Sequence, residues 1–144
     1  MPSITGHVLR NGILIECTVG VSFPFEEALN KAGNPIPVKQ QATFIVDTGA
    51  DRTTVDEQLM RALGVPPMTQ TRVVTLKSGP EGHVVDTYAA SLEIKNPSDR
   101  PWVNRTMRVL GDSFQGIDGI IGRDVLEHML LEYNGPIRRY FLRY

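Results

Sequence analysis

The sequence is short of the features that announce many kinds of chemistry. Cys17 is the only cysteine among 144 residues, which excludes an internal disulfide framework and a cysteine metal cluster. Within Ile15-Glu16-Cys17-Thr18-Val19 it reads as a small buried hydrophobe. The histidines His7, His83 and His128 lie far apart and form no His-x-x-x-His pair, so a zinc enzyme fits poorly and no metal or organic cofactor is expected. An excess of one charge is missing too. Fifteen Lys and Arg face 16 Asp and Glu, a net charge of −1, which leaves no electrostatic footprint for nucleic acid or an anionic membrane. No apolar run approaches membrane-spanning length. The start, Met1-Pro2-Ser3-Ile4-Thr5-Gly6-His7, lacks the basic residues and apolar stretch of a signal peptide. A cytoplasmic protein is expected.

What is present is an ordinary globular composition, 41% hydrophobic and 22% charged, at a length that suits one domain over residues 1–144. Ile4 to Arg10 and Ile13 to Gly20 flank Asn11-Gly12, a hairpin signal. Residues 22–38 break that pattern: Phe23-Pro24-Phe25 leads into Glu26 to Ala32, room for one or two helical turns, before Gly33-Asn34-Pro35-Ile36-Pro37. They read as an insertion in the hairpin leading to the next strand, either covering a sheet edge or holding a partner. Thr54-Val55-Asp56-Glu57 fits a capping box. Leu59, Met60 and Leu63 follow at helical spacing until Gly64 and Pro66-Pro67. Thr71 to Lys77 and His83 to Ile94 alternate apolar and polar around Ser78-Gly79-Pro80-Glu81-Gly82, a hairpin within residues 72–94. Trp102 to Leu110 and Ile117 to Ile121 are further strands, and Gly122 opens a short helix running to Met129. Residues 130–144 form a terminal hairpin about Asn134-Gly135, in which Arg138, Arg139 and Arg143 take solvated positions beside Tyr140, Phe141 and Leu142.

One stretch stands apart. Phe44-Ile45-Val46 is a buried strand that runs straight into Asp47. A carboxylate there is desolvated unless donors surround it. Thr48 offers a hydroxyl, and Gly49 permits a tight turn that brings backbone N–H groups close. Such places are built to tune an acid.

Phe44-Ile45-Val46-Asp47-Thr48-Gly49-Ala50-Asp51 resembles the active-site motif of the retropepsin-like (retroviral-type) branch of the aspartic proteases. Gly116-Ile117-Asp118-Gly119-Ile120-Ile121-Gly122-Arg123-Asp124-Val125-Leu126 resembles that family's second signature, an apolar-apolar-Gly block before a short helix. The longer ending is similar to bacterial and eukaryotic members rather than viral ones.

The resemblance implies an all-β acid-protease fold, a mainly antiparallel closed barrel with two short helices. It also implies an aspartic endopeptidase acting on peptide or protein substrates. Asp47 would be the catalytic acid, Thr48 would cross-brace the active site, and Gly49, Ala50 and Asp51 would contact the peptide. Ser78, Gly79, Pro80, Glu81 and Gly82 would form the tip of a flap over the substrate, stiffened by Pro80. Gly122 and Arg123 would support the site, Arg123 by pairing with Asp51; the alternative for that pair is an ordinary surface contact. Such enzymes use two aspartates around one water. The chain holds one Asp-Thr-Gly and about half the length of a two-lobed enzyme, so it is expected to be one lobe of a homodimer. The alternative is a weakly active or inactive retropepsin-like module kept for dimerisation or protein binding.

Overall fold

The computed structural model describes all 144 residues. The strands are β1 (Ser3–His7), β2 (Leu14–Val21), β3 (Gln40–Val46), β4 (Thr54–Asp56), β5 (Thr69–Val73), β6 (His83–Ile94), β7 (Trp102–Asp112), β8 (Gly119–Ile121), β9 (Leu130–Asn134) and β10 (Arg139–Arg143). The helices are α1 (Phe23–Lys31), α2 (Glu57–Ala62) and α3 (Arg123–Leu126). No helix is long and apolar enough to cross a membrane.

Strands β2-β3-β8-β4-β7-β6 pair in that order, and β6 pairs back with β2, closing a six-stranded barrel with β5 hanging from β6. The expected closed barrel is therefore present. Closure turns Ala42 and Phe44 of β3 fully inward. Ile45 and Val46, expected to be buried with Phe44, are only half-buried, Ile45 because successive side chains alternate faces. Phe44 is fully buried among Val55, Met60, Ile94, Val109, Ile121 and Val125, the burial that supplies most of the folding energy. Two pairings are parallel, β3 with β8 and β4 with β7. The first brings strands 75 residues apart in sequence into register, with Val46 beside Ile121, and the second strands 56 apart, with Thr54 beside Leu110.

Several local expectations change. There are three helices, not two: Pro24 in the first turn, Glu26 near the N-terminus and Lys31 near the C-terminus all suit a helix, and Gly33 (φ +71°) ends the nine-residue α1. That helix lies outside the barrel, with Phe23 beneath the Arg105 guanidinium at 4.1 Å. Thr54 is not a helix cap, because Thr54–Asp56 is drawn into the barrel as β4. Asp56 caps α2 instead, accepting from the Gln58 N–H at 2.9 Å. Helix α3 stops at Leu126 rather than Met129.

Asn11-Gly12 does turn the chain, closing a Leu9–Gly12 bridge, but the flanking strands do not pair with each other. β1 instead joins the terminal hairpin in a separate sheet of order β1-β10-β9. There Ile4 and Leu142 are partners and both are buried. Gly6 is required at that crossing, since a Cβ would lie 2.7 Å from the Tyr140 ring.

Candidate active site

Because β3 and β8 run parallel, their ends deliver Asp47 and Gly122 to the same place. The Asp47 N–H donates to the Ile121 carbonyl at 3.0 Å. The chain then turns sharply. Gly49 N–H donates to Asp47 Oδ1 at 2.8 Å, and Ala50 N–H to the Asp47 carbonyl at 3.2 Å. One carboxylate oxygen is thus fixed by backbone while the half-buried side chain faces open space. Thr48 is exposed at the turn.

The loop that follows is sewn to the start of α3. Arg123 N–H donates to the Ala50 carbonyl at 2.9 Å and Asp124 N–H to the Asp51 carbonyl at 3.3 Å. Arg123 reaches the loop through the Thr48 carbonyl, to which Nη1 donates at 2.9 Å. The expected Arg123–Asp51 ion pair is not formed within the chain; the short α3 aims the guanidinium at the turn's backbone.

Two residues that sequence reasoning passed over hold the junction together. Thr53 is fully buried. Its hydroxyl donates to Asp124 Oδ1 at 2.8 Å and accepts from the Gly122 N–H at 3.1 Å. Its own N–H donates to the Asp124 carboxylate, 3.0 and 3.1 Å from its two oxygens. No buried side-chain polar atom there lacks a partner. Gly122 is required by packing: a Cβ would stand 2.5 Å from the Arg52 carbonyl carbon. The signals were weak, a threonine in a polar run and an aspartate after Gly-Arg, 71 residues apart.

Above Asp47 opens a cleft of about 1020 Å³. Asp47, Gly49, Ala50 and Asp51 line its floor, Val85, Leu110 and Ile120 give it apolar walls, and Val73 to Ser78 roof one side. Of the five residues expected at the roof, Ser78 alone lines the cleft; Gly79, Pro80, Glu81 and Gly82 do not. The segment ahead of the glycines faces inward instead, and it carries the exposed apolar side chains Val74 and Leu76. Thr75 and Ser78 lock that turn through their hydroxyls.

The aspartyl protease family model matches residues 34–125, a span containing the first signature block and all of the second but its last residue, Leu126. A retropepsin-like aspartic protease from Rickettsia conorii aligns over 99% of this chain and 90% of its own, with TM-score 0.59 and 15% identity. EIAV protease, solved with the inhibitor HBY-793, aligns over 61% of this chain and 76% of its own, with TM-score 0.36 and 22% identity. No curated protein matches the sequence. With the family match covering well over half its length and the barrel shared from end to end, this chain belongs to the aspartyl protease family and has the retropepsin-like fold.

Proposed function

We propose that the protein is an aspartic endopeptidase whose catalytic pair is assembled from Asp47 of two copies. The observation that carries this reading is a half-built site. A single Asp-Thr-Gly carboxylate, braced on one oxygen, sits in the floor of an open cleft in a chain that has no second copy of the motif. With a twin across a two-fold axis, two carboxylates would flank one water. Like charges so close repel, and the pair keeps one proton between them. The ionised member takes the proton of the attacking water. The protonated one supports the oxygen of the scissile carbonyl as charge develops, then helps protonate the departing nitrogen. Both peptide-bond fragments leave free, and no covalent enzyme intermediate forms.

The surrounding groups fit this task. Thr48 is exposed at the turn, and in a dimer its hydroxyl would meet that of its counterpart. The Gly49–Asp51 backbone and the apolar walls of the cleft accommodate an extended peptide with a large apolar side chain. The β5–β6 hairpin serves as the flap.

The test is cleavage of a peptide library by the parent and by Asp47→Asn. The proposal expects internal cleavage by the parent and a loss of at least about 1,000-fold in the variant, since removing one member of a proton-transfer pair forfeits most of its contribution. Capture of library peptides without cleavage by either protein would instead favour a protein-binding module.

A further inference from the structure

The β5–β6 hairpin leaves the barrel at a definite point. The β6–β7 ladder runs from Ile94 opposite Trp102 to Thr87 opposite Leu110 and ends there. Beyond it, β6 pairs only with β5, Val84 with Arg72 and His83 with Val73. Gly111 and Asp112 turn away to pair with β4. The two sheets split around the cleft.

Inside the hairpin, polar contacts are plentiful. Arg72 donates to the Glu81 carbonyl at 3.0 Å, Gln70 to Asp86 at 3.2 Å, and Thr75 and Ser78 bond one another. At its base the hairpin is joined to the ladder residue Thr87 by the Thr69 hydroxyl, 2.7 Å away. Above that pair, residues 70–86 make one side-chain hydrogen bond to the rest of the chain, His83 Nε2 to Asp112 Oδ2 at 3.0 Å. His83 lies four residues past the end of the ladder on one strand and Asp112 two past it on the other. The acceptor is itself held, because Asp112 Oδ1 takes the Ser113 N–H at 2.8 Å. Both side chains line the cleft above Asp47.

We propose that the His83–Asp112 bond is a latch that fixes the height of the hairpin over the cleft and must release for a polypeptide to enter sideways. A hairpin clamped by a ladder would be part of the barrel, and one with no tether would swing freely. A single, half-exposed, charge-assisted bond lies between these, cheap enough to break and directed enough to return. His83 is thus a positioning residue. Its role in substrate turnover rests on the endopeptidase reading; its role in holding the hairpin does not.

The test is amide hydrogen exchange across residues 71–85 in the parent, His83→Ala and His83→Gln, whose side-chain amide can still donate. Losing one net hydrogen bond speeds exchange in that segment about five- to ten-fold in the Ala variant, while the Gln variant stays within about two-fold of the parent. Exchange of residues 42–46 remains unchanged in both, which certifies an intact barrel. Equal exchange in the parent and the Ala variant would overturn the latch. So would a Gln variant as mobile as the Ala variant, because ring packing rather than the bond would then be responsible. In cleavage assays the Ala variant raises KM by a similar factor with kcat little changed; failure of all cleavage would count against the endopeptidase reading and leave the exchange result standing.

Discussion

The floor and the roof of the cleft are built on opposite principles. The floor is a junction of two loops from distant parts of the chain. Asp47–Thr53 and Gly122–Val125 are joined by backbone bonds, the Arg123–Thr48 contact and the buried Thr53–Asp124–Gly122 network. The roof is one hairpin, internally bonded and, above the Thr69–Thr87 pair at its base, tied to the barrel by one side-chain pair. Under the proposed function, a carboxylate that meets its twin across a symmetry axis would tolerate little wandering, whereas a cover over a polymeric substrate would have to lift. On that proposal, rigidity is concentrated where the chemistry would need it and withheld where entry would need it.

Glycine substitution breaks this contrast most sharply. Gly122→Ala pushes a methyl group to 2.5 Å from the Arg52 backbone, which neither loop can yield without separating. A loss of about 3 kcal/mol in urea unfolding is expected, with cleavage lost as well; an unchanged midpoint would mean that the junction is looser than its contacts indicate.

Thr53→Val probes the same junction more gently. It preserves shape but leaves the Gly122 N–H without its acceptor and takes a donor from Asp124. A cost of about 2 kcal/mol follows from stranding a buried donor, read by the same unfolding measurement.

Alkaline pH sharpens the comparison from the barrel side. Burial, and to a lesser extent Glu16, push the Cys17 thiol far above its ordinary 9.0. Burial, then Cys17, push the Tyr140 hydroxyl above 10.0. Both groups are held protonated by folding, so their contribution is fully present below the ordinary values and is lost as pH rises through the folded ones. Unfolding free energy should fall by about 1.4 kcal/mol per pH unit above pH 9 from Cys17 alone. Cys17→Ala removes that slope, while a slope unchanged by the substitution would contradict the assignment.

The smallest effect belongs to the roof. Gly79→Ala adds a methyl group that meets nothing within 4 Å, although φ is +67°. About 1 kcal/mol of backbone strain should lower the thermal midpoint by about 3 °C and speed amide exchange near residue 79.

The same division explains what could be read from sequence. The strand ending in Asp47, the helix α2 and the terminal hairpin are written in short windows, as alternation, spacing and turn residues, and each is present. Helix α2 nevertheless begins at Glu57 under an Asp56 cap, and the terminal turn spans Gly135 to Arg138, with Asn134 paired to Arg139, rather than Asn134-Gly135. The closed barrel came from the resemblance carried by two motifs. What escaped depends on partners far along the chain. The Asn11-Gly12 turn forms, yet β1 finds a better apolar partner in β10, across almost the whole sequence. Thr54 satisfies a helix-cap pattern locally but is claimed by β7 and β8. Thr53 and Asp124 are unremarkable until folding sets them 2.8 Å apart. Arg123 meets the Asp47–Asp51 loop, but a residue type cannot reveal that its target is a carbonyl of Thr48 rather than the carboxylate of Asp51. The glycines of the hairpin drew attention to its tip, whereas the cleft is roofed by Val73 to Ser78 just before them.

The central claim is that the site becomes whole only when two copies meet. Peptide cleavage per milligram should be measured over a dilution series spanning the monomer–dimer transition seen by sedimentation. The account predicts that specific activity falls in step with the dimer fraction, and that excess Asp47→Asn chain suppresses the parent by forming mixed dimers. Constant specific activity in a demonstrably monomeric protein would contradict it.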